Sequence, residues 1–380
     1  MTPAGRPPIG RALGLLLAVV MLLFSSSCMP PPVTRTRSVA AVNSLLVVSE
    51  MREEGSTVWA FNPANLQDKR LLGNFPHQRG FPLRGVVSPD GTSIALVQLP
   101  PGADRFSGAR LLIMLRDGSS QRTLEEGIDY DIVPIWSPDS REMAFVKRAG
   151  PASAGTAPGV SEVPPSPSPT EVYAAGADGK NRRLLFKDAQ SLDLYLVGWQ
   201  NDVKRIVYRK FTKAGDEVWA FDLASGQSQR LSSLSKSPAY GVKLSPDGNT
   251  LIASVRQDNG FDVITESLDG QNRRVLSKGN RRPSSPLFAP DGRRIAFDVE
   301  TTDQGASVGI MDTGPETVTR LSSPSGSKEI PLSFSPDGVW ILVRVNQEGR
   351  SRVYLLRVND GTKEHLDSAY WIEPIGWTRG

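Results

Sequence analysis

From Ser44 onward the chain carries short runs in which apolar residues recur at every second position, bounded by Gly, Pro, Asp and Ser. The pairs Ile94 and Leu96, Met143 and Phe145, Ile206 and Tyr208, Leu251 and Ala253, Ile295 and Phe297, and Ile341 and Val343 all follow this rule. A period of two predicts strands, half-buried ones by the simplest reading. Each pair starts four residues after an Asp. Five of those Asp residues lie in the turns Ser88-Pro89-Asp90-Gly91, Ser137-Pro138-Asp139-Ser140, Ser245-Pro246-Asp247-Gly248, Ala289-Pro290-Asp291-Gly292 and Ser335-Pro336-Asp337-Gly338. Gln200-Asn201-Asp202-Val203 is a worn sixth copy, and successive Asp residues lie 49, 63, 45, 44 and 46 positions apart.

The turn chemistry follows from these residue types. Pro presets φ at the second position, Asp tolerates the third, and Gly accepts a positive φ at the fourth. A third strand follows, as in Glu217-Val218-Trp219-Ala220-Phe221, then an Asp-Gly turn such as Asp269-Gly270. A fourth strand often carries Arg-Leu, as in Arg183-Leu184 and Arg230-Leu231. Four antiparallel strands in about 45 residues make a propeller blade. The ends complement each other. Val58-Trp59-Ala60-Phe61 matches Val218-Trp219-Ala220-Phe221, so the N-terminal unit begins at a second strand. Pro374-Ile375-Gly376-Trp377 parallels Leu196-Val197-Gly198-Trp199 and supplies a spare first strand. The expectation is an all-β, seven-bladed β-propeller of four-stranded antiparallel blades. Pairing of the C-terminal strand with the N-terminal blade would close it and hide sheet edges.

The recurring Ser-Pro-Asp-Gly turn with its Ile295-Ala296-Phe297 strand resembles the WD40-like repeat of the TolB propeller, over about Ser44 to Gly380. That resemblance implies a fold; the repeat serves scaffolds, receptors and enzyme accessory domains alike. The length leaves no room for the N-terminal domain of TolB or the hydrolase domain of propeller peptidases, so a lone propeller is expected.

Ahead of the repeats, Arg6 and Arg11 precede a 13-residue apolar run, Ala12 to Phe24, and then Ser25-Ser26-Ser27-Cys28. The run is too short to span a membrane but suits a signal peptide. Small residues before the sole Cys resemble a bacterial lipobox, although Ser25 stands where such a box usually has Leu. Residues 1–27 are therefore read as a lipoprotein signal peptide, Cys28 as the lipidation site, and 28–43 as a Pro-rich tether. Residues 44–380 form the propeller, interrupted by a Pro, Ala, Ser and Gly segment at 149–170 that is expected to be disordered.

Composition narrows the chemistry. With one Cys and two His, His77 and His365, neither a disulfide framework nor a Cys/His zinc site can be built, and no metal or other cofactor is expected. The formal charge of +4, or +2 without the leader, gives no field argument for nucleic acid. Gly305-Ala306-Ser307-Val308-Gly309 matches the G-x-S-x-G string but falls at the start of a third blade strand. His77 and His365 would lie in neighbouring blades, where a paired-His role as in propeller lyases is conceivable; surface loop positions are the duller reading. Asp90, Asp139, Asp247, Asp291 and Asp337 are read as structural turn residues.

The loops joining second to third strands, and each blade to the next, share one face. That face gathers Tyr130, Tyr195, Tyr240, Arg281, Arg282, Tyr370 and Trp371, and aromatics with Arg are the side chains of binding hot spots. These residues are the candidate binding face, with no catalytic residue assigned. The function expected is a non-enzymatic binding or scaffold protein, lipid-anchored on the extracytoplasmic side of a bacterial inner or outer membrane. Its partner would be another envelope protein or a peptide or saccharide ligand. The competing reading is a propeller lyase or glycoside hydrolase acting on cell-surface polysaccharide.

Overall fold

The structure is a computed structural model, and it describes residues 44–148, 169–200, 204–301, 305–314, 317–322, 326–347, 349–366, 368 and 370–379. The leader, Cys28, the tether and all but the last two residues of the 149–170 segment lie outside the described residues.

The propeller is all β. Its first sheet holds β1 (Leu46–Met51), β2 (Gly55–Asn62), β3 (Asn65–Pro76) and, on the inside of β1, β28 (Trp371–Trp377). The second runs β4 (Arg84–Val87), β5 (Ser93–Gln98), β6 (Ala109–Leu115) and β7 (Arg122–Ile128). The third runs β8 (Ile135–Trp136), β9 (Glu142–Arg148), β10 (Thr170–Gly176) and β11 (Arg183–Asp188). The fourth has β12 (Asp193–Gln200), β13 (Arg205–Thr212), β14 (Gly215–Asp222) and β15 (Gln227–Ser235). The fifth has β16 (Tyr240–Leu244), β17 (Thr250–Gln257), β18 (Gly260–Ser267) and β19 (Arg274–Asn280). The remaining strands are β20 (Leu287–Phe288), β21 (Arg294–Glu300), β22 (Ala306–Asp312), β23 (Val318–Arg320), β24 (Lys328–Phe334), β25 (Trp340–Gln347), β26 (Arg350–Arg357) and β27 (Lys363–Leu366).

This arrangement corrects the expected count. Five four-stranded blades stand as separate sheets, not seven, and β20 to β27 form one continuous eight-stranded sheet. The join is a single parallel pair, Ala306 with Lys328. Its cause is the outer strand β23, which has three residues and pairs only with Gly309, Ile310 and Met311. The Ala306 end of β22 is left without an outer neighbour, and its backbone groups must find partners. The Ala306 amide donates to the Ser327 carbonyl, which draws β24 alongside.

The first strand of one sheet lies beside that of the next: β28 against β4, β24 against β28, and β8, β12, β16 and β20 each against the strand that follows in the series β8, β12, β16, β20, β24. Arg84 spans the step from β4 to β8 by donating to the carbonyls of Tyr130 and Asp131. At the seam β28 pairs antiparallel with β1, Leu46 opposite Trp377. The Thr378 amide donates to the Leu45 carbonyl, and the Leu45 amide to Thr378 Oγ1.

The second strands are more deeply buried than half. Ile94, Ala95, Leu96 and Val97 are all fully buried. Ile94 and Leu96 pack with Val47, Val58 and Ala60 of the first sheet, whereas Ala95 and Val97 pack with Met143 and Phe145 of the third. Each sheet is thus sandwiched between two others, and both pleat faces are apolar.

The Ser-Pro-Asp-Gly turns are built as their residues require. Ser88 Oγ donates to Asp90 Oδ1 at 2.5 Å and accepts from the Ser93 amide, while the Thr92 amide donates to the same carboxylate. Gly91 and Gly248 both sit at φ +75°, where an L side chain is strained. Ser137 and Ser335 repeat the hydroxyl–carboxylate bond at 2.6 and 2.5 Å. The Ser137 hydroxyl, and then the Arg141 amide, hold the Asp139 carboxyl below its ordinary range. Ala289 breaks the pattern: it has no hydroxyl, and beside the usual bond from the Arg293 amide, Asp291 accepts from the Arg294 amide and, at 2.8 Å, from Arg294 Nε. Restoring the hydroxyl with Ala289→Ser is expected to add about 1 kcal/mol and raise the melting temperature by about 1–2 °C. An unchanged or lower melt would show that the hydroxyl adds nothing at this turn.

Candidate functional site

The innermost strands begin where the chain passes inward from the preceding sheet, so their first residues converge on one mouth of the axis. Tyr195 lies on β12, Tyr240 opens β16, Trp371 opens β28, and Arg281 and Arg282 lead into β20. These placements do not make the sequence-predicted residues equivalent.

Tyr130 is 5% exposed and structural in its contacts. Its hydroxyl donates to the Pro82 carbonyl at 2.6 Å, and its ring meets Phe81 edge-on at 5.4 Å. Tyr195 is half-buried beneath the Arg209 guanidinium, 4.6 Å from its ring centroid, and burial pushes its phenol well above the ordinary range. Arg281 is spent on Glu300: Nε donates to Oε2 at 3.0 Å and its amide to Oε1 at 2.7 Å.

The remaining candidates are open. Tyr240 is 45% exposed, edge-on to Phe261 at 5.8 Å. Tyr370 is 45% and Trp371 36% exposed. The Arg52 guanidinium lies 4.9 Å from the Tyr370 ring, and Arg344 lies 4.1 Å from the Trp371 ring. Trp371 Nε1 donates to Glu373 at 3.1 Å. Arg282 is exposed, and its side chain has no partner among the described residues.

Sequence reasoning missed a charged network under this face. Arg148, at the end of β9, donates to the buried Asp129 and to Asp193 at 3.1 Å, joining the third sheet to the fourth. Arg209 donates to the Ala239 carbonyl and lies 3.2 Å from the buried Asp216, joining the fourth sheet to the fifth. Arg344 donates to the Ile372 carbonyl at 2.8 Å, joining the wide sheet to β28. Burial pushes Asp129 and Asp216 each up to about 6, against the pull of Arg148 and Arg209. Lys243, on β16, keeps part of its side chain in water, while burial of its ammonium lowers it to about 8.

Other motifs find no chemistry. Ser307 is fully buried within β22 with its hydroxyl at the Val299 carbonyl, so no nucleophile elbow exists there. His77 is buried with Nδ1 2.9 Å from the Gln78 carbonyl, and His365 packs against the Tyr354 ring on the outer strand β27. Among the described residues no three His, Cys, Asp or Glu side chains come together as a metal site. A larger cavity, about 530 Å³, opens on the opposite face beside Asp247, Arg274 and Arg293.

Comparison with known proteins places the fold. No family model matches the chain. A stretch of 110 residues is 31% identical to an uncharacterized protein of Agrobacterium fabrum, covering 26% of this chain and 38% of that one. TolB of Acinetobacter baumannii superposes with a TM-score of 0.52 at 16% identity, over 88% of this chain and 83% of its own. An oligogalacturonate lyase solved in complex with manganese gives 0.60 at 12% identity, over 82% and 83%. The acylaminoacyl peptidase of Pyrococcus horikoshii gives 0.58 at 14% identity, over 86% of this chain but 51% of that one. At such identities the likeness is one of fold alone: the chain is a β-propeller, and TolB, a lyase and a peptidase share that fold.

Proposed function

We propose that the protein is an extracytoplasmic, membrane-anchored binding or scaffold propeller that captures a protein partner on its long-loop mouth. The observation that carries this reading is the rim of exposed aromatic side chains, Tyr240, Tyr370 and Trp371, with Arg52 and Arg344 stacked on the last two. Large rings fixed by neighbouring cations lose little freedom on binding, which is what makes them anchors. The lipobox-like leader supports the anchored, extracytoplasmic placement.

The likeness to a lyase favours a second reading, a propeller enzyme acting on polysaccharide. A manganese-dependent reaction would need a cluster of His or carboxylate ligands, and the described residues do not supply one.

Crosslinking in intact membranes, followed by recapture with purified variants, tests the binding reading. Tyr240→Ala and Trp371→Ala are expected to keep the wild-type melt and to weaken capture by about 30-fold each, the scale of a hot-spot residue. Tyr130→Ala is expected to lower the melt instead, because that ring is packed. Capture that survives both rim variants but fails with Arg293→Ala would move the site to the opposite face.

A further inference from the structure

Beside the aromatic rim, the wide sheet holds a cavity of about 210 Å³, lined by Arg281, Arg282, Asp298, Glu300 and Lys328. Its two acids already have fixed donors. Glu300 takes both hydrogen bonds from Arg281, and Asp298, 5% exposed, accepts from the Ser284 hydroxyl and the Ser285 amide at 3.0 Å. Its cations are not balanced in the same way. Arg282 and Lys328 have no side-chain acceptor among the described residues, although both face the same space. The Arg281–Glu300 pair fixes the loop from which Arg282 projects, and the Ala306–Lys328 pairing fixes the start of β24. The lining therefore carries three cations against two carboxylates, and the surplus positive charge, on two cations whose backbone is held but whose side chains have no acceptor among the described residues, makes a receptor for one carboxylate.

We propose that this cavity takes a carboxylate of an acidic peptide segment, so that the mouth selects partners by an acidic residue beside an apolar one. The proposal rests on the reading of the mouth as a protein-docking face. The volume equals about seven liquid waters, enough for one carboxylate-bearing side chain or chain terminus. A nucleic-acid backbone fits less well, because one small cavity with a single surplus positive charge holds one anion and not a run of phosphates.

The test is calorimetric titration of the full chain with two probes. One is an acetylated, amidated tetraglutamate, which offers side-chain carboxylates alone. The other is acetyl-triglycine with a free terminus, which offers a chain-terminal carboxylate alone. At least one should bind at low salt, and which one does identifies the source. Arg282→Gln and Lys328→Gln are each expected to weaken that binding about 5- to 10-fold, the worth of a charge-assisted hydrogen bond, with unchanged melts. Arg293→Gln, on the opposite face, is expected to leave it unaltered. Failure of both probes to bind, equal affinity in the Arg282 and Lys328 variants, or an equal loss with Arg293→Gln would overturn the proposal. If Tyr240→Ala and Trp371→Ala still weaken partner capture in that case, the docking face stands and the carboxylate pocket falls.

Discussion

Deleting Tyr370 to Gly380 is expected to abolish the cooperative melt of the propeller. The deleted segment contains β28, the innermost strand of the first sheet, and its apolar residues serve two different packings. Ile372 and Trp377 pack with Leu46, Val48, Trp340 and Leu342, while Ile375 packs with Val47, Leu83 and Ile94. Trp377 also donates from Nε1 to Ser333 of the wide sheet at 3.2 Å. Truncating one buried Trp costs about 3–5 kcal/mol, and one buried Ile about 2–5. Together with the lost ladder this reaches the whole net stability of a domain, about 5–15 kcal/mol. Trp377→Ala alone should therefore lower the melting temperature by several degrees. Calorimetry and circular dichroism would decide: a truncated chain that melts as sharply and as late as wild type would show that the ring does not depend on this seam.

Arg148→Met is expected to be among the most destabilising single substitutions in the chain, by about 3–5 kcal/mol, because it strands the fully buried Asp129 without its cation. The same carboxyl, together with Asp216, gives a pH signature whose sign can be worked out. Both are pushed up to about 6 in the folded protein, against about 3.9 in an unfolded chain. As pH falls through 6 toward 4, the folded state binds protons that the unfolded state does not yet bind. By linkage these two groups then add stability, on the order of 2–3 kcal/mol each by pH 4. Above pH 6 both states are ionised and the contribution is flat. Asp129→Asn with Asp216→Asn removes the titration, so the gap between wild type and the double variant should shift in favour of wild type as pH is lowered from 7 to 4. Parallel stability–pH curves for the two proteins would rule this out.

What the sequence disclosed, and what it did not, divides by range. The turns were legible because their chemistry is local: Pro, Asp and Gly each satisfy one dihedral, and the Ser hydroxyl reaches only to the next few residues. The origin of the seam was legible because Val58 to Phe61 repeats Val218 to Phe221. The division into sheets was not, because it turned on the brevity of β23 and on one bridge between Ala306 and Lys328. Placement of the aromatic residues at the strand starts was legible from topology, whereas their exposure was not. Tyr130 and Tyr240 hold comparable places along the chain, yet one is sealed by Pro82 and Phe81 and the other stands free. The Asp129–Arg148–Asp193 bridge spans two sheets at separations of 19 and 45 residues, and no spacing rule marks such a pair.

The pairing of β1 with β28 also sets a clock. Leu45 and Thr378, which bond across the seam, are 333 positions apart. At 5–20 residues per second, synthesis separates them by about 17–67 s. Throughout that interval the inner edge of β1 has no partner, and Leu46 and Val48 lack their cover from Ile372 and Trp377. Collapse of a chain this size takes well under a millisecond, so the other sheets can form long before the seam does. The protein therefore passes through a long-lived open ring whose exposed strand edge invites pairing with other chains. Pairing with other chains through that edge during synthesis therefore competes with closure of the ring.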